Sequence, residues 1–214
     1  MPSSFEIFAF MLPNNSFFKC YRLWQGFLAT QTNRKRTMPA CQFTTATDAS
    51  RDAFIRAMRL VASSVTVVTT DGPAGRHGAT VSAFTSVSAD PPTILVCLRA
   101  DSRIAQAVEA NGQLCVNVLP SDSQAVADRF AGKDDTWLAD RFSGIECFGQ
   151  PGAAPQIDGA TVFSGTVQQS VLSGSHRIFI IRVASVREGM LQPLTYLDGA
   201  YHRVVRDAAP MRVS

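Results

Sequence analysis

Residues His77 to Pro92, HGATVSAFTSVSADPP, hold the densest set of groups able to bind a planar polar ligand. Thr80, Val81, Ser82, Thr85, Ser86, Val87 and Ser88 are small, hydroxylated or β-branched, and such residues favour extended backbone. Short side chains leave main-chain N–H and C=O groups open to a ligand. An ordinary strand with one wet face has a similar composition, so the order of landmarks around the segment decides more than any one residue. One strand further on, Asp101-Ser102-Arg103 combines a hydroxyl, a guanidinium and an expected helix start. The free N–H groups and dipole of a helix N-terminus favour an anion, and a guanidinium forks onto phosphate. Arg99 is a second basic candidate. The histidines are His77, His176 and His202, with no HxxxH or HxH spacing, so no metal site is expected. Nucleophile motifs and phosphate loops are also missing, which points to chemistry borrowed from a bound organic cofactor.

The elements that would position these groups are mostly strands. Ser50 can cap a helix from Arg51 to about Val61, with Phe54, Ile55, Met58 and Val61 on one face. Val65–Thr70 reads as a strand, Asp71–Gly75 as a turn, and Thr80–Ser88 as a second strand. Pro91-Pro92 breaks the chain before a buried strand, Thr93–Leu98. Asp101-Ser102 caps a helix over Arg103–Glu109, which Asn111-Gly112 stops. Gln113–Leu119 is a fourth strand, and a helix follows from Ser121 to about Arg129. The stretch from Trp137 to Asp158 is irregular, with Phe142 and Phe148 as expected anchors. Thr161–Leu172 and His176–Glu188 alternate in strand fashion around Ser173-Gly174, and Pro193–Tyr201 reads as a closing hairpin. Many short strands with few helices between them imply a mainly β, antiparallel barrel with a few short flanking helices.

A chain of 214 residues, 46% hydrophobic and 17% charged, is long enough for one sizeable core and room for a tail. Five basic residues against Glu6 precede Met38, which leaves one more acid than base in the remainder. The body therefore carries no electrostatic footprint for nucleic acid. Five cysteines (Cys20, Cys41, Cys97, Cys115 and Cys147) form no CxxC pair, which fits a reducing, cytoplasmic setting. No apolar run is long enough to suggest a membrane span. Residues 1–47 read as an N-terminal extension, 48–208 as one domain and 209–214 as a tail. Before Met38 the text is dense in aromatics and lacks the charge order of a secretory signal. Met38 is a candidate start, and an amphipathic arm that docks on a partner is the alternative.

The 77–92 segment, taken with VNVL at 116–119, FAG at 130–132 and the later glycine and tyrosine landmarks, resembles the flavin reductase-like family with its FMN-binding, Greek-key split β-barrel. The resemblance runs to about Val204. It implies an NAD(P)H:flavin oxidoreductase, a homodimer that hands reduced flavin to a separate flavin-dependent oxygenase, with no nucleic acid or membrane partner. FMN, or FAD, would be the flavin, and NADH or NADPH the co-substrate. By this likeness the backbone of Thr80, Val81, Ser82, Ala83 and Phe84 would hydrogen-bond the isoalloxazine, and Ser102, Arg103 and Arg99 would serve its phosphate. Phe130, Gly132 and Lys133 match the FAG element beside the flavin, and Lys133 is the only lysine after Met38. Ser173-Gly174-Ser175-His176 aligns with a Gly-Asp-His motif whose histidine positions the nicotinamide. Ser175 stands where Asp is usual, which removes a carboxylate. Tyr201 closes the Y-x-x-G-x-[YF] pattern, where it could stack on a ring or seal the barrel. A flavoprotein that keeps FMN to reduce another acceptor, and a non-catalytic FMN-binding module, share the same landmarks.

Overall fold

In the computed structural model, residues 48–189 and 192–205 are described, so the expected 1–47 extension and 209–214 tail lie outside the described residues. The first element among the described residues is helix α1 (Arg51–Arg59), whose N-cap Ser50 accepts the Ala53 N–H at 3.3 Å. The helix ends two residues short of Val61, and it buries no side chain. Strands β1 (Ser63–Ser64), β2 (Thr66–Thr70), β3 (His77–Val81), β4 (Phe84–Ala89) and β5 (Pro92–Arg99) follow. Helix α2 (Arg103–Asn111) is capped by Ser102 and stopped by Gly112 in the left-handed region, as expected of that pair. Next come β6 (Gln113–Val118), α3 (Gln124–Phe130), β7 (Cys147–Phe148), β8 (Gln156–Ile157), β9 (Thr161–Ser173), β10 (His176–Arg187), β11 (Leu194–Leu197) and β12 (Ala200–Arg203).

Seven strands form one antiparallel sheet in the order β3-β2-β6-β9-β10-β5-β4. The two edge strands, β3 and β4, are consecutive in the chain and joined only by Ser82 and Ala83. The three steps from Val81 to Phe84 can span roughly 10 Å at full extension, so the sheet must curl until its edges face each other. The curl is closed by the chain and not by a ladder, which leaves a split between β3 and β4. Mainly antiparallel β structure with a few short helices is thus the architecture.

Residues alternate across β2 and β6 between two cores. Val67 and Cys115 join Leu119, Phe130, Phe142 and Val162 on one side, and Val68, Leu114 and Val116 join Val96, Val108, Phe179 and Ile181 on the other. A side-chain period of two feeds both cores from the same strands. Buried Asn117 is fully partnered. It donates to Val67 O (3.0 Å) and Thr69 Oγ1 (3.1 Å) and accepts the Ile157 N–H (2.8 Å), tying the 147–157 segment to the sheet.

Three local expectations need correction. Thr80–Ser88 is two strands, not one, because the chain must cross the split at Ser82-Ala83. The helix expected from Ser121 begins at Gln124, since Ser123 makes no side-chain cap and Pro120–Ser123 forms a turn. Phe142 is an anchor at 6% exposure, but Phe148 is half exposed and serves only as a surface for the Arg187 guanidinium, 4.7 Å from its ring.

Candidate functional site

Strand β3 lines one cleft, and the crossing that follows it lines a second. The first, about 640 Å³, is lined by Gly78 and Ala79 together with Arg76, His77, Ser102–Ile104, Asp135 and Leu138–Phe142. The second, about 1040 Å³, begins where β3 ends: Ser82, Ala83, Phe84 and Thr85 face Leu95 and Cys97 from β5, α1, and the β11–β12 turn.

The first cleft is built on a close approach. A Cβ on Gly78 would lie 2.5 Å from the Phe130 ring, so only glycine lets Phe130 and Phe142 pack onto β3. Those two rings meet edge to face at 4.9 Å, and the Arg76 guanidinium lies 4.7 Å from the Phe142 ring while pairing with Asp140 at 2.7 Å. Arg141 pairs with Asp135 through two nitrogens and donates to Phe130 O at 2.9 Å and Gly78 O at 3.2 Å. Its hydrogen bond to Asp135 is the main reason that carboxyl sits below the ordinary carboxylate range, and Arg103 lowers it further. Among the described residues Arg103 itself forms no ion pair and no side-chain hydrogen bond. The cleft therefore combines cations already neutralised by carboxylates with one guanidinium left over, beside the N-terminus of α2.

Gly78 O also fixes the direction of the β3 backbone. It points away from β2 toward Arg141, and in an antiparallel edge strand the next residue facing the same way is two further on. Thr80 thus turns its main-chain N–H and C=O to the open edge, while its hydroxyl donates to Ala127 O at 2.6 Å and fastens α3. Val81 faces the other way, with its carbonyl accepting from Thr66 Oγ1 at 2.6 Å. At the crossing, Ala83 O accepts the Cys97 N–H at 3.0 Å.

The sequence-designated residues fall into five places. Ser82, Ala83 and Phe84 line the second cleft, with Thr80 and Val81 on the strand between the clefts. Ser102 and Arg103 line the first, although the Ser102 hydroxyl already donates to Arg99 O (2.6 Å) and accepts the Ala105 N–H (3.3 Å). Phe130, Gly132, Lys133 and Tyr201 form a supporting layer. The Phe130 ring is in the core at 1% exposure, and Gly132 makes room for the Arg141–Asp135 pair, which a Cβ there would meet at 2.8–2.9 Å. Lys133 (2.7 Å) and the Tyr201 hydroxyl (2.8 Å) converge on the Asp128 carboxylate. Burial works to raise the Asp128 pKa, but these two hydrogen bonds outweigh it and hold the group low. Burial and the same carboxylate push the Tyr201 phenol up to about 12.

Arg99 and His176 form a separate corner and line neither cleft. They are paired across β5 and β10, and Arg99 makes a two-point contact with Asp101 (2.7 and 3.1 Å). Ser175 Oγ lies 3.0 Å from His176 Nδ1, so the hydroxyl orients the imidazole. Arg76, Asp135, Asp140 and Arg141 were not singled out from sequence, while His77 entered as the first residue of the 77–92 segment. Asp135, Asp140 and Arg141 sit beside or within irregular chain and Arg76 follows a turn, so no period marks them.

A protein-family model described as flavin reductase like domain matches residues 58–205. The chain belongs to that family. It is 39% identical over 158 residues to "FMN reductase (NADH) RutF" of Cronobacter sakazakii, covering 73% of this chain and 94% of that one. Among solved structures it is similar to the NADH:FAD oxidoreductase SgcE6 of Streptomyces globisporus C-1027 in complex with NAD and FAD fragments. That match has a TM-score of 0.68, 28% identity, and covers 75% of this chain and 96% of that one. The styrene monooxygenase flavin reductase of Pseudomonas putida S12 matches with a TM-score of 0.63 at 28% identity, over 72% and 99% of the two chains.

Proposed function

We infer that this chain is an NAD(P)H:flavin oxidoreductase that supplies reduced flavin to a separate monooxygenase. The observation that carries the reading is one strand running between a cleft with a spare guanidinium and an apolar cleft. A flavin has a phosphate at one end of a flexible chain and a flat ring at the other, so the donor set fits it. Arg103 and the first N–H groups of α2 would hold the phosphate, and the open edge at Thr80 with the Ser82–Phe84 crossing would meet the ring. When flavin and nicotinamide nucleotide are both bound, they supply hydride transfer from nicotinamide C4 to flavin N5, which requires no protein nucleophile. The chain's own work is to align two rings and exclude water. With Nδ1 engaged by Ser175, His176 keeps Nε2 as the polar atom available to a nicotinamide amide or phosphate. Lys133, Asp128 and Tyr201 fix the end of α3, and through Thr80 they fix β3.

A homodimer belongs to the same reading. Phe54, Ile55 and Met58 leave α1 with a largely exposed apolar face on the rim of the ring cleft, and a second copy of the chain would cover it. Light scattering should give a dimer that Ile55→Asp converts to monomer. Among the described residues no helix is long and apolar enough to cross a membrane, and Cys97, Cys115 and Cys147 are free, which supports placing the enzyme in the cytoplasm.

The direct test follows NADH and NADPH oxidation by the purified full chain with and without added FMN or FAD. Oxidation that requires added flavin and saturates with it is the expected result. Flavin binding without oxidation of either nicotinamide nucleotide would leave a binding module in place of a reductase.

A further inference from the structure

The apolar cleft contains one ion pair, and the flavin-reducing reading leaves it unused. Its lining holds one carboxylate, Asp198 in the β11–β12 turn, and one basic side chain, Arg59 at the end of α1. Arg59 donates its Nε–H to Asp198 Oδ1 at 3.0 Å and an Nη2–H to Asp198 O at 3.4 Å, while the Asp198 N–H donates back to Arg59 O at 2.8 Å. The guanidinium packs so closely on the turn that a Cβ on Gly199 would meet its Nη2 at 3.2 Å. Among the described residues, every hydrogen bond between α1 and the strands runs between Arg59 and Asp198.

The hairpin does not need that carboxylate. Asp198 and Gly199 form a two-residue turn with φ of +48° and +85°, a geometry that Asn or Gly meets as well as Asp at its first position. Nor does packing fix α1, since the helix buries no side chain. The pair joins two walls. Phe54 and Met58 of α1 line the cleft, and so does Tyr196 of β11, which Tyr201 braces edge to face at 5.5 Å. Strand β1, which follows α1, pairs Ser63 with Tyr196, so helix and hairpin are tied at both ends of the wall. Resting on the reading of this cleft as the flavin-ring site, we propose that Asp198 is a positioning residue that, through Arg59, holds α1 and the Tyr196 hairpin together against the bound ring. The closed pair does so without leaving a net charge beside an uncharged ring. A wall in place for only a fraction of the molecules raises the apparent dissociation constant by the inverse of that fraction.

The probe is riboflavin, titrated into the full-length protein and read by fluorescence quenching. Asp198→Gly keeps the turn and should raise the riboflavin dissociation constant by about 1.4- to 5-fold, the range that an exposed ion pair can supply. Its melting temperature should stay within about 4 °C of the wild type, with an unchanged mass by light scattering. Asp198→Asn keeps one acceptor oxygen and should fall between the two. Arg59→Met should match Asp198→Gly, and the double variant should bind no more weakly than either single one, because each removes the same contact. Salt at about 1 M screens an exposed pair and should bring the wild type close to Asp198→Gly. Unchanged riboflavin affinity in Asp198→Gly, losses that add in the double variant, a gap that survives high salt, or no riboflavin binding by the wild type would overturn the assignment. Flavin-dependent NADH oxidation is measured on the same wild-type sample. Its presence with unchanged riboflavin affinity in the variants sinks only the role of Asp198, and its absence sinks the reductase reading whatever the variants do.

Discussion

The two clefts on either side of the β3–β4 crossing differ in how each is made. One is walled by arginines and carboxylates in pairs, so its shape is set by directional contacts and its charge is nearly cancelled, with Arg103 left over. The other is floored by short side chains at a strand crossing and rimmed by Phe54, Ile55 and Met58 of α1, so it is apolar and open. The same strand supplies a glycine to the first, where rings must touch the backbone, and a two-residue crossover to the second, where the sheet splits. A ligand bridging them must be amphipathic along its length. Discrimination of its two ends comes from different physics, desolvation at the ring and charge at the phosphate.

The largest break in that contrast should come from filling the apolar cleft. Ala83→Phe should raise the apparent dissociation constant for FMN and riboflavin alike, by roughly 5- to 150-fold if overpacking the site costs about 1–3 kcal/mol. Flavin fluorescence quenching reads it, and a loss confined to FMN would show that the ring does not lie there. Gly78→Ala strikes the charged cleft through packing. With the new methyl forced on the Phe130 ring, overpacking should cost about 1–3 kcal/mol, read as a melting temperature lower by about 2–4 °C per kcal/mol. An unchanged melting curve would mean that the two rings are not seated on β3.

The smallest effect concerns the layer behind both clefts. Asp128 has its pKa depressed in the folded protein, so its contribution to stability is present above the ordinary carboxylate pKa and is lost as pH falls through the lower folded value. Asp128→Asn should therefore be less stable than wild type at neutral pH, with the gap closing in strong acid. Tyr201 has its folded pKa raised to about 12, so its share is full below the unfolded value and disappears as pH climbs through about 12. Chemical denaturation at several pH values checks both signs. A gap that widens in acid would remove the carboxylate from this role.

Sequence patterns revealed the strands well where one physical rule was enough. Alternation marked β6 and β10, Ser50 and Ser102 marked helix starts, and Gly112 marked a helix end. The split at Ser82-Ala83 was not visible, because β-branched and hydroxylated residues continue across it and only the closure of the sheet demands a break. The 77–92 segment and the Ser102-Arg103 pair stood out in the sequence as local chemistry, and Ser82–Phe84 line one cleft while Ser102 and Arg103 line the other. Arg141, Asp135 and Arg76 did not stand out, since their partners lie between 6 and 64 positions away and irregular backbone has no period. Phe130 was legible as a landmark but not as a buried ring, because a phenylalanine beside glycine looks alike in a cleft and in a core. Likewise α1 and α2 have the same length and the same kind of cap, yet only α2 buries its apolar face.

The most direct test of one flavin lying across both clefts compares FMN with riboflavin, which lacks the phosphate, in wild type and Arg103→Ala. A charge-assisted phosphate contact is worth about 1.5–3 kcal/mol, so Arg103→Ala should weaken FMN by roughly 10- to 150-fold and leave riboflavin unchanged. Equal weakening of both ligands, or none of either, would contradict the placement of phosphate and ring at opposite ends of β3.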